Sequence, residues 1–155
     1  MINVSSKERF ITILGNIFEY GLRNNYHLLA IEEMVSNSAL VNSLEKNDDS
    51  IIDHYSLDSL VLETYKIVNG SLGYECSSDL SIWLSSIYLD LFFEFKKSFS
   101  YLFLVMPLKE AIDKYPVYHE MSITQLFDAY LENVKKKRLL STLLKRKGLS
   151  NRFQC

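Results

Sequence analysis

Glycine, proline and cysteine are scarce in this chain of 155 residues, and their scarcity argues against particular kinds of structure. Five glycines and two prolines supply few of the tight turns that an all-β protein needs, which favours helices. The two cysteines, Cys76 and Cys155, belong to no Cys-x-x-Cys or Cys/His array. This argues against a disulfide framework and a structural zinc site. We therefore expect reduced thiols in a cytoplasmic protein.

Long uncharged apolar runs are also missing. The most apolar stretch, residues 80–106, is interrupted by Asp90, Glu94, Lys96 and Lys97. A membrane-spanning helix needs about 20 residues with few or no charges. The apolar run at 10–18 lacks the flanks and the cleavage site of a signal peptide. We expect neither a membrane span nor a signal peptide.

Helical spacing of the apolar residues dominates what is present. It predicts helices at about 6–23, 27–46, 57–68 and 79–98, a turn of helix over 51–55, and later helices at 108–115 and from 122 to 148. The helix at about 79–98 is apolar on nearly every side, which is typical of a helix at the centre of a bundle. The sequence thus predicts one all-α domain, 1–155, a compact bundle of five to seven helices with a long basic C-terminal helix.

Local signals set the expected helix ends. Ser5-x-x-Glu8 and Ser122-x-x-Gln125 have the pattern of capping boxes. Residues 100–106 either continue the central helix or turn it before Pro107. Pro116 is expected to close the short helix at 108–115.

Candidate catalytic and metal-ligating residues are few. Asp90 and Glu94 lie four apart on a helix and could form an acid–base pair, but they also fall on one polar stripe with Ser86 and Lys97. The three histidines are isolated, and the acidic residues at 48–53 lack the spacing of a calcium loop. We expect no metal and no cofactor.

Residues 23–27, Arg-Asn-Asn-Tyr-His, resemble the Arg-Asn-x-x-x-His signature of the HEPN ribonucleases. That resemblance implies an all-α ribonuclease that uses Arg23 and His27. The spacer here is one residue short, and the segment falls at the junction of the first two predicted helices. The alternative is a plain capping and turn segment.

Charge is divided unevenly along the chain. Residues 1–134 hold nine basic residues and all 19 acids, a net charge of −10, whereas residues 135–155 hold eight basic residues and no acid. We predict a basic face formed by Lys135, Lys136, Lys137, Arg138, Lys145, Arg146 and Lys147. It could contact a protein partner, a membrane surface or nucleic acid, although the −10 body argues against a polyanion.

The last helix poses a geometric question. At 100° per residue, the leucines at 139, 140, 143 and 144 lie on a different side from the apolar residues of 123–134. A single straight helix cannot bury both sets against one surface. We predict a bend near 135–138 that tucks the leucines onto the bundle; the alternative is a leucine set that faces a partner.

Acids dominate residues 32–63, where eight of them accompany only Lys46. Such a surface steers association with basic partners. Tyrosine is a good interface anchor, because it buries a large ring and keeps a polar tip. We therefore predict a partner-binding acidic face formed by Glu45, Asp48, Asp49, Asp53, Tyr55, Asp58, Glu63 and Tyr65.

A compact domain without a catalytic motif, rich in Ile, Asn, Ser, Lys and Tyr and with an acidic body, looks like the small immunity proteins of bacterial polymorphic-toxin and contact-dependent growth inhibition systems. The resemblance implies a non-enzymatic cytoplasmic protein that binds a cognate toxin domain, such as a nuclease, and neutralises it. Two alternatives remain: a HEPN-like ribonuclease, and a phage or regulatory protein that grips nucleic acid through its basic C-terminus.

Overall fold

The computed structural model describes residues 2–53 and 78–147. Within these ranges the chain forms seven α-helices, one 3-10 helix (Ser50–Asp53) and no β-strand, which confirms the all-α prediction. The α-helices are α1 (Val4–Arg23), α2 (Leu28–Ser36), α3 (Ala39–Glu45), α4 (Ser78–Phe95), α5 (Phe99–Val105), α6 (Leu108–Tyr118) and α7 (Ile123–Arg146). The helix predicted at 57–68 lies outside the described residues.

The centre of the bundle is the pair α1 and α4. Small residues let these helices approach closely: Ser81 and Ser85 of α4 are buried, and a Cβ atom at Gly15 of α1 would lie 3.6 Å from the backbone of Ile82. The Ser85 hydroxyl donates a hydrogen bond of 2.6 Å to the carbonyl of Ile11. The central helix α4 is therefore apolar on most sides, but it contacts α1 through serines.

An aromatic cluster joins α4 to α1 and α5. The ring of Tyr88, which is fully buried, lies 4.7 Å from Phe103 and 6.1 Å from Phe18, centroid to centroid. The Tyr88 hydroxyl donates to the carbonyl of Met106 at 2.7 Å. This bond satisfies a polar group deep in the core, which would otherwise weaken the fold.

Two predicted helix boundaries in the first half are wrong. Helix α1 begins at Val4, because Asn3, and not Ser5, accepts a hydrogen bond from the amide of Ser6 and so caps it. The helix predicted at 27–46 is two helices. Ser38 separates them, since its hydroxyl donates to the carbonyl of Val35 in the last turn of α2 and accepts from the amide of Val41 in the first turn of α3.

The central helix ends at Phe95, three residues earlier than predicted. Lys96 takes a left-handed backbone conformation with φ of 52°, and this turns the chain. Ser98 then caps α5 by accepting from the amide of Tyr101. Residues 100–105 therefore belong to a new helix, and Met106 follows its end, so the chain turns before Pro107, one of the two alternatives left open by the sequence.

Pro116 does not close its helix, contrary to prediction. Helix α6 runs two residues past it to Tyr118, and the amide of His119 still bonds to the carbonyl of Tyr115. A proline this close to a helix end removes only one backbone hydrogen bond. The capping box at the start of α7 is confirmed, with both bonds between Ser122 and Gln125 present.

Helix α7 is one continuous helix of 24 residues, without the interruption expected near 135–138, and the expected burial is wrong for three of the four leucines between 139 and 144. Leu126, Tyr130 and Val134 are buried, but Leu139, Leu140 and Leu143 are 62%, 56% and 43% exposed. The side of the helix that faces the bundle continues through Lys137, which donates from Nζ to the carbonyl of Leu104 at 3.0 Å. These three leucines consequently point away from the bundle, whereas Leu144 is half-buried.

No helix within the described ranges combines the length and the apolar character needed to cross a membrane.

Candidate binding surfaces

Three acids of the predicted acidic face lie at one corner of the bundle, where α3 leads into the 3-10 helix. We call Glu45, Asp48 and Asp49 the acidic corner. Each carboxylate accepts an internal hydrogen bond: Glu45 from the amide of Phe99 (3.0 Å), Asp48 from the amide of Ser50 (2.9 Å) and Asp49 from the hydroxyl of Ser6 (2.7 Å).

These bonds fix the orientation of the acidic corner. The side chains of Glu45 and Asp48 are exposed and that of Asp49 is half-buried. The hydrogen bond from the amide of Ser50 lowers the pKa of Asp48 and so favours its charged form. Carboxylates that are already held in place lose little side-chain freedom when a partner binds.

A shallow depression of about 470 Å³ borders the acidic corner. Glu45, the apolar rings of Phe92 and Phe93, and the two lysines Lys96 and Lys97 all line it. The depression therefore combines one carboxylate of the acidic corner with two lysines, so its charge is mixed.

The remaining acidic-face residues are placed only in part. Asp53 is the last residue of the 3-10 helix Ser50–Asp53. Tyr55, Asp58, Glu63 and Tyr65 lie outside the described residues. Their membership of the acidic face therefore stays a prediction.

The predicted basic face lies on the last half of α7. Lys135, Lys136, Arg138, Lys145, Arg146 and Lys147 are exposed, whereas Lys137 is half-buried against Leu104. Burial lowers the pKa of Lys137. Six of the seven bases therefore face solvent, and the seventh anchors the helix to the bundle.

Three leucines stand among these bases. We call Leu139, Leu140 and Leu143 the leucine face. On a helix they span an arc of about 100°, opposite to the side on which Tyr130 and Val134 are buried. An exposed apolar cluster of this kind marks an interaction surface more often than an isolated exposed leucine does.

Sequence reasoning missed a second apolar surface, a groove between α2 and α5 with a volume of about 370 Å³. We call it the acidic groove. Leu29 and Leu104 line it, 64% and 59% exposed, beside Glu32 and Glu33, and none of the described residues that line it is basic. One signal was present in the sequence: Leu29 lies off the apolar stripe of its helix.

Glu32 has a structural role at the floor of this groove. Its carboxylate accepts a hydrogen bond of 2.7 Å from the amide of Leu108, the first residue of α6. Pro107, which precedes this helix, supplies no side-chain cap. Burial raises the pKa of Glu32, and the hydrogen bond from Leu108 opposes that effect.

Arg23 and His27, the residues of the ribonuclease hypothesis, are both engaged locally. The guanidinium of Arg23, at the end of α1, pairs with Glu19 at 2.8 Å. His27 caps α2, and its Nδ1 accepts from the amide of Leu29 at 3.3 Å. Asn25 between them has φ of 57°, so the segment is a tight turn at the junction of two helices, as the alternative interpretation predicted.

The sequence also raised an acid–base hypothesis for Asp90 and Glu94 and the possibility of a metal site. Asp90 forms an ion pair of 2.9 Å with Lys7 across the α1–α4 interface, and Glu94 is exposed. Among the described residues, no three His, Cys, Asp or Glu side chains converge in a way that could hold a metal ion.

Comparison of the chain with protein families, with curated proteins and with solved structures finds no match.

Proposed function

We propose that this chain is a non-enzymatic cytoplasmic binding protein of the immunity type, which neutralises a cognate toxin enzyme by contact through the acidic corner. The observation that carries the proposal is the fixed orientation of Glu45, Asp48 and Asp49 at an exposed edge of the bundle. Each carboxylate is held by the protein's own hydrogen bonds and is ready to meet a cationic surface.

The chemistry of such a surface suits a basic enzyme. Nucleases and other enzymes that bind phosphates present lysine and arginine side chains, and a preformed array of carboxylates can occupy that site. Opposite charges on the two proteins also accelerate their encounter, which matters for a protein that must intercept a toxin quickly.

The non-enzymatic part of the proposal is supported by the local roles of the candidate catalytic groups. Arg23 is paired with Glu19, and His27 spends a ring nitrogen on a helix cap. Asp90 is paired with Lys7. These groups stabilise helix ends and a helix interface, so their positions are accounted for without a catalytic role.

The test uses the protein encoded directly upstream of this chain's gene. That protein is expressed in a bacterial host with and without this chain, and growth is measured together with complex formation on a sizing column. We expect growth arrest that the chain relieves, and co-elution of the two proteins. A toxic neighbour that the chain neither binds nor relieves, or a harmless neighbour that it does not bind, would refute the proposal.

A triple variant locates the interface. Glu45→Gln, Asp48→Asn and Asp49→Asn together remove three charges but keep an oxygen acceptor for each internal hydrogen bond. We expect the association rate at low salt to fall on the order of tenfold. The matched control neutralises Asp113, Glu120 and Asp128, three exposed acids elsewhere. An equal effect of both triple variants would show that net charge, and not the acidic corner, drives binding.

A further inference from the structure

The leucine face and the acidic groove are complementary surfaces of the same chain. The leucine face carries bases at both ends, with Lys136 one turn before the leucines and Arg146 and Lys147 one turn after them. The acidic groove carries two exposed leucines and two glutamates, and no base is found among its lining residues in the described part of the chain. Both surfaces therefore offer exposed apolar area, and they carry opposite charges.

These two surfaces account for most of the exposed leucine in the part of the chain that the structure describes. Six leucines there are markedly exposed, and five of them lie either on the leucine face or on the walls of the acidic groove; Leu131 is the sixth. Contact between the two surfaces would remove these five side chains from water together, and burial of apolar area is the main driving force for association.

The geometry of α7 points to contact between copies. Within one chain, Lys137 donates to the carbonyl of Leu104, so α7 already passes the edge of the groove that Leu104 lines. The leucines that follow lie on the far side of the helix and remain exposed. The groove of one copy can accept the leucine face of another. With a two-fold axis, both copies make this contact at the same time.

Direct pairing of two α7 tails is disfavoured by charge. Residues 135–147 hold seven bases and no acid, so two such tails side by side would place like charges together. The groove, with Glu33 exposed on its rim, is the oppositely charged alternative.

We propose that the protein forms a two-fold homodimer in which the leucine face of each α7 docks into the acidic groove between α2 and α5 of the other copy. This inference does not rest on the proposed function, and the groove shares no lining residue with the depression beside the acidic corner. Because each contact is a few helical turns long, the dimer is weak and reversible, and high salt weakens it further.

The first experiment is sedimentation equilibrium over a wide range of protein concentration, at low and at high salt. We expect a monomer–dimer equilibrium that high salt shifts toward the monomer. Leu139→Ser with Leu143→Ser, and separately Glu33→Lys, are each expected to weaken dimerisation at least about tenfold. Both changes lie on exposed positions, so circular dichroism is expected to report an unchanged helical fold.

The second experiment fixes which surfaces meet. In a background with Cys76→Ser and Cys155→Ser, one protein carries Leu29→Cys and another carries Leu140→Cys. Mixed under mild oxidation, they are expected to form a disulfide between the two different variants, because a disulfide requires the two Cβ atoms within a few ångströms. Leu131→Cys in place of Leu140→Cys is the control, exposed on the same helix but off the leucine face.

Each other outcome overturns the proposal. A monomer at every concentration excludes the dimer. A dimer that survives Glu33→Lys and forms no Leu29–Leu140 cross-link uses a different surface. A monomer whose leucine variants lose binding to anionic vesicles or to RNA would assign α7 to that ligand.

Discussion

Two glycines of α1 provide a sharp test of how the helices pack. A Cβ atom at Gly21 would lie 2.8 Å from Cγ1 and 2.9 Å from Cδ1 of Ile31, whereas a Cβ atom at Gly15 would meet its nearest neighbours at 3.6 Å. Contacts of 3.6 Å are ordinary van der Waals distances, but 2.8 Å requires a displacement. Ile31 is fully buried on α2 and has little room to move.

The two substitutions to alanine share one favourable term. Replacing glycine with alanine inside a helix stabilises it by about 1 kcal/mol. At Gly15 nothing opposes this gain, so Gly15→Ala should raise the melting temperature by about 2–4 °C for a domain of this size. At Gly21 the overlap with Ile31 costs about 1–3 kcal/mol, which cancels or exceeds the gain. Gly21→Ala should therefore leave the melting temperature unchanged or lower it.

The assay is thermal and urea unfolding followed by circular dichroism. A further variant, Gly21→Ala with Ile31→Val, removes the Cδ1 atom that stands 2.9 Å from the new methyl group. The pair is expected to be less destabilising than the sum of the two single changes. If Gly21→Ala stabilised the protein as much as Gly15→Ala does, the close approach of α1 and α2 described above would be wrong.

Three further predictions concern buried polar groups. Tyr88→Phe should destabilise the protein by about 1–3 kcal/mol in urea unfolding, because it leaves the buried carbonyl of Met106 without its donor. Tyr26→Phe should cost less than about 0.5 kcal/mol, since the buried hydroxyl of Tyr26 has no hydrogen-bond partner among the described residues; an equal loss in both variants would contradict this account. Burial raises the pKa of Glu32 in the folded state, so the folded state binds the carboxyl proton more tightly than the unfolded state does. The stability that this proton adds is lost as pH rises through the raised pKa. Glu32→Gln keeps an acceptor for the amide of Leu108 and should make stability less dependent on pH above the ordinary pKa of a glutamate carboxyl, as measured by urea unfolding. An unchanged slope would show that this carboxyl does not titrate with a raised pKa.

Much of the fold could be predicted from local patterns. The apolar stripe of α1, the nearly all-apolar α4 and the capping box of α7 depend on residues a few positions apart in sequence. The spacing of these residues alone revealed them. The interruptions were harder. Ser38 reads as an ordinary helix residue until its hydroxyl is seen bonded to both neighbouring helices, and the left-handed Lys96 has no signal of its own.

The charges of the candidate surfaces were predicted from the sequence, but their three-dimensional arrangement was not. The sequence showed that acids cluster around residue 48 and bases after residue 134. It could not show that Glu45 bonds to Phe99, which lies 54 residues away. The predicted direction of the leucines was wrong for a related reason. The contact of Lys137 with Leu104 is long-range, and it decides which side of α7 the bundle covers. The acidic groove joins two helices that are distant in sequence, so no local pattern could reveal it.

The bond between Glu45 and the amide of Phe99 has an evolutionary consequence. The same carboxylate faces solvent at the acidic corner and satisfies a free backbone donor at the start of α5. A change of charge that adapts this position to a new partner would also weaken the beginning of a helix, unless the replacement is glutamine. Among natural variants of this chain, position 45 should therefore stay Glu or Gln, while adaptation to partners accumulates at the more exposed Asp48.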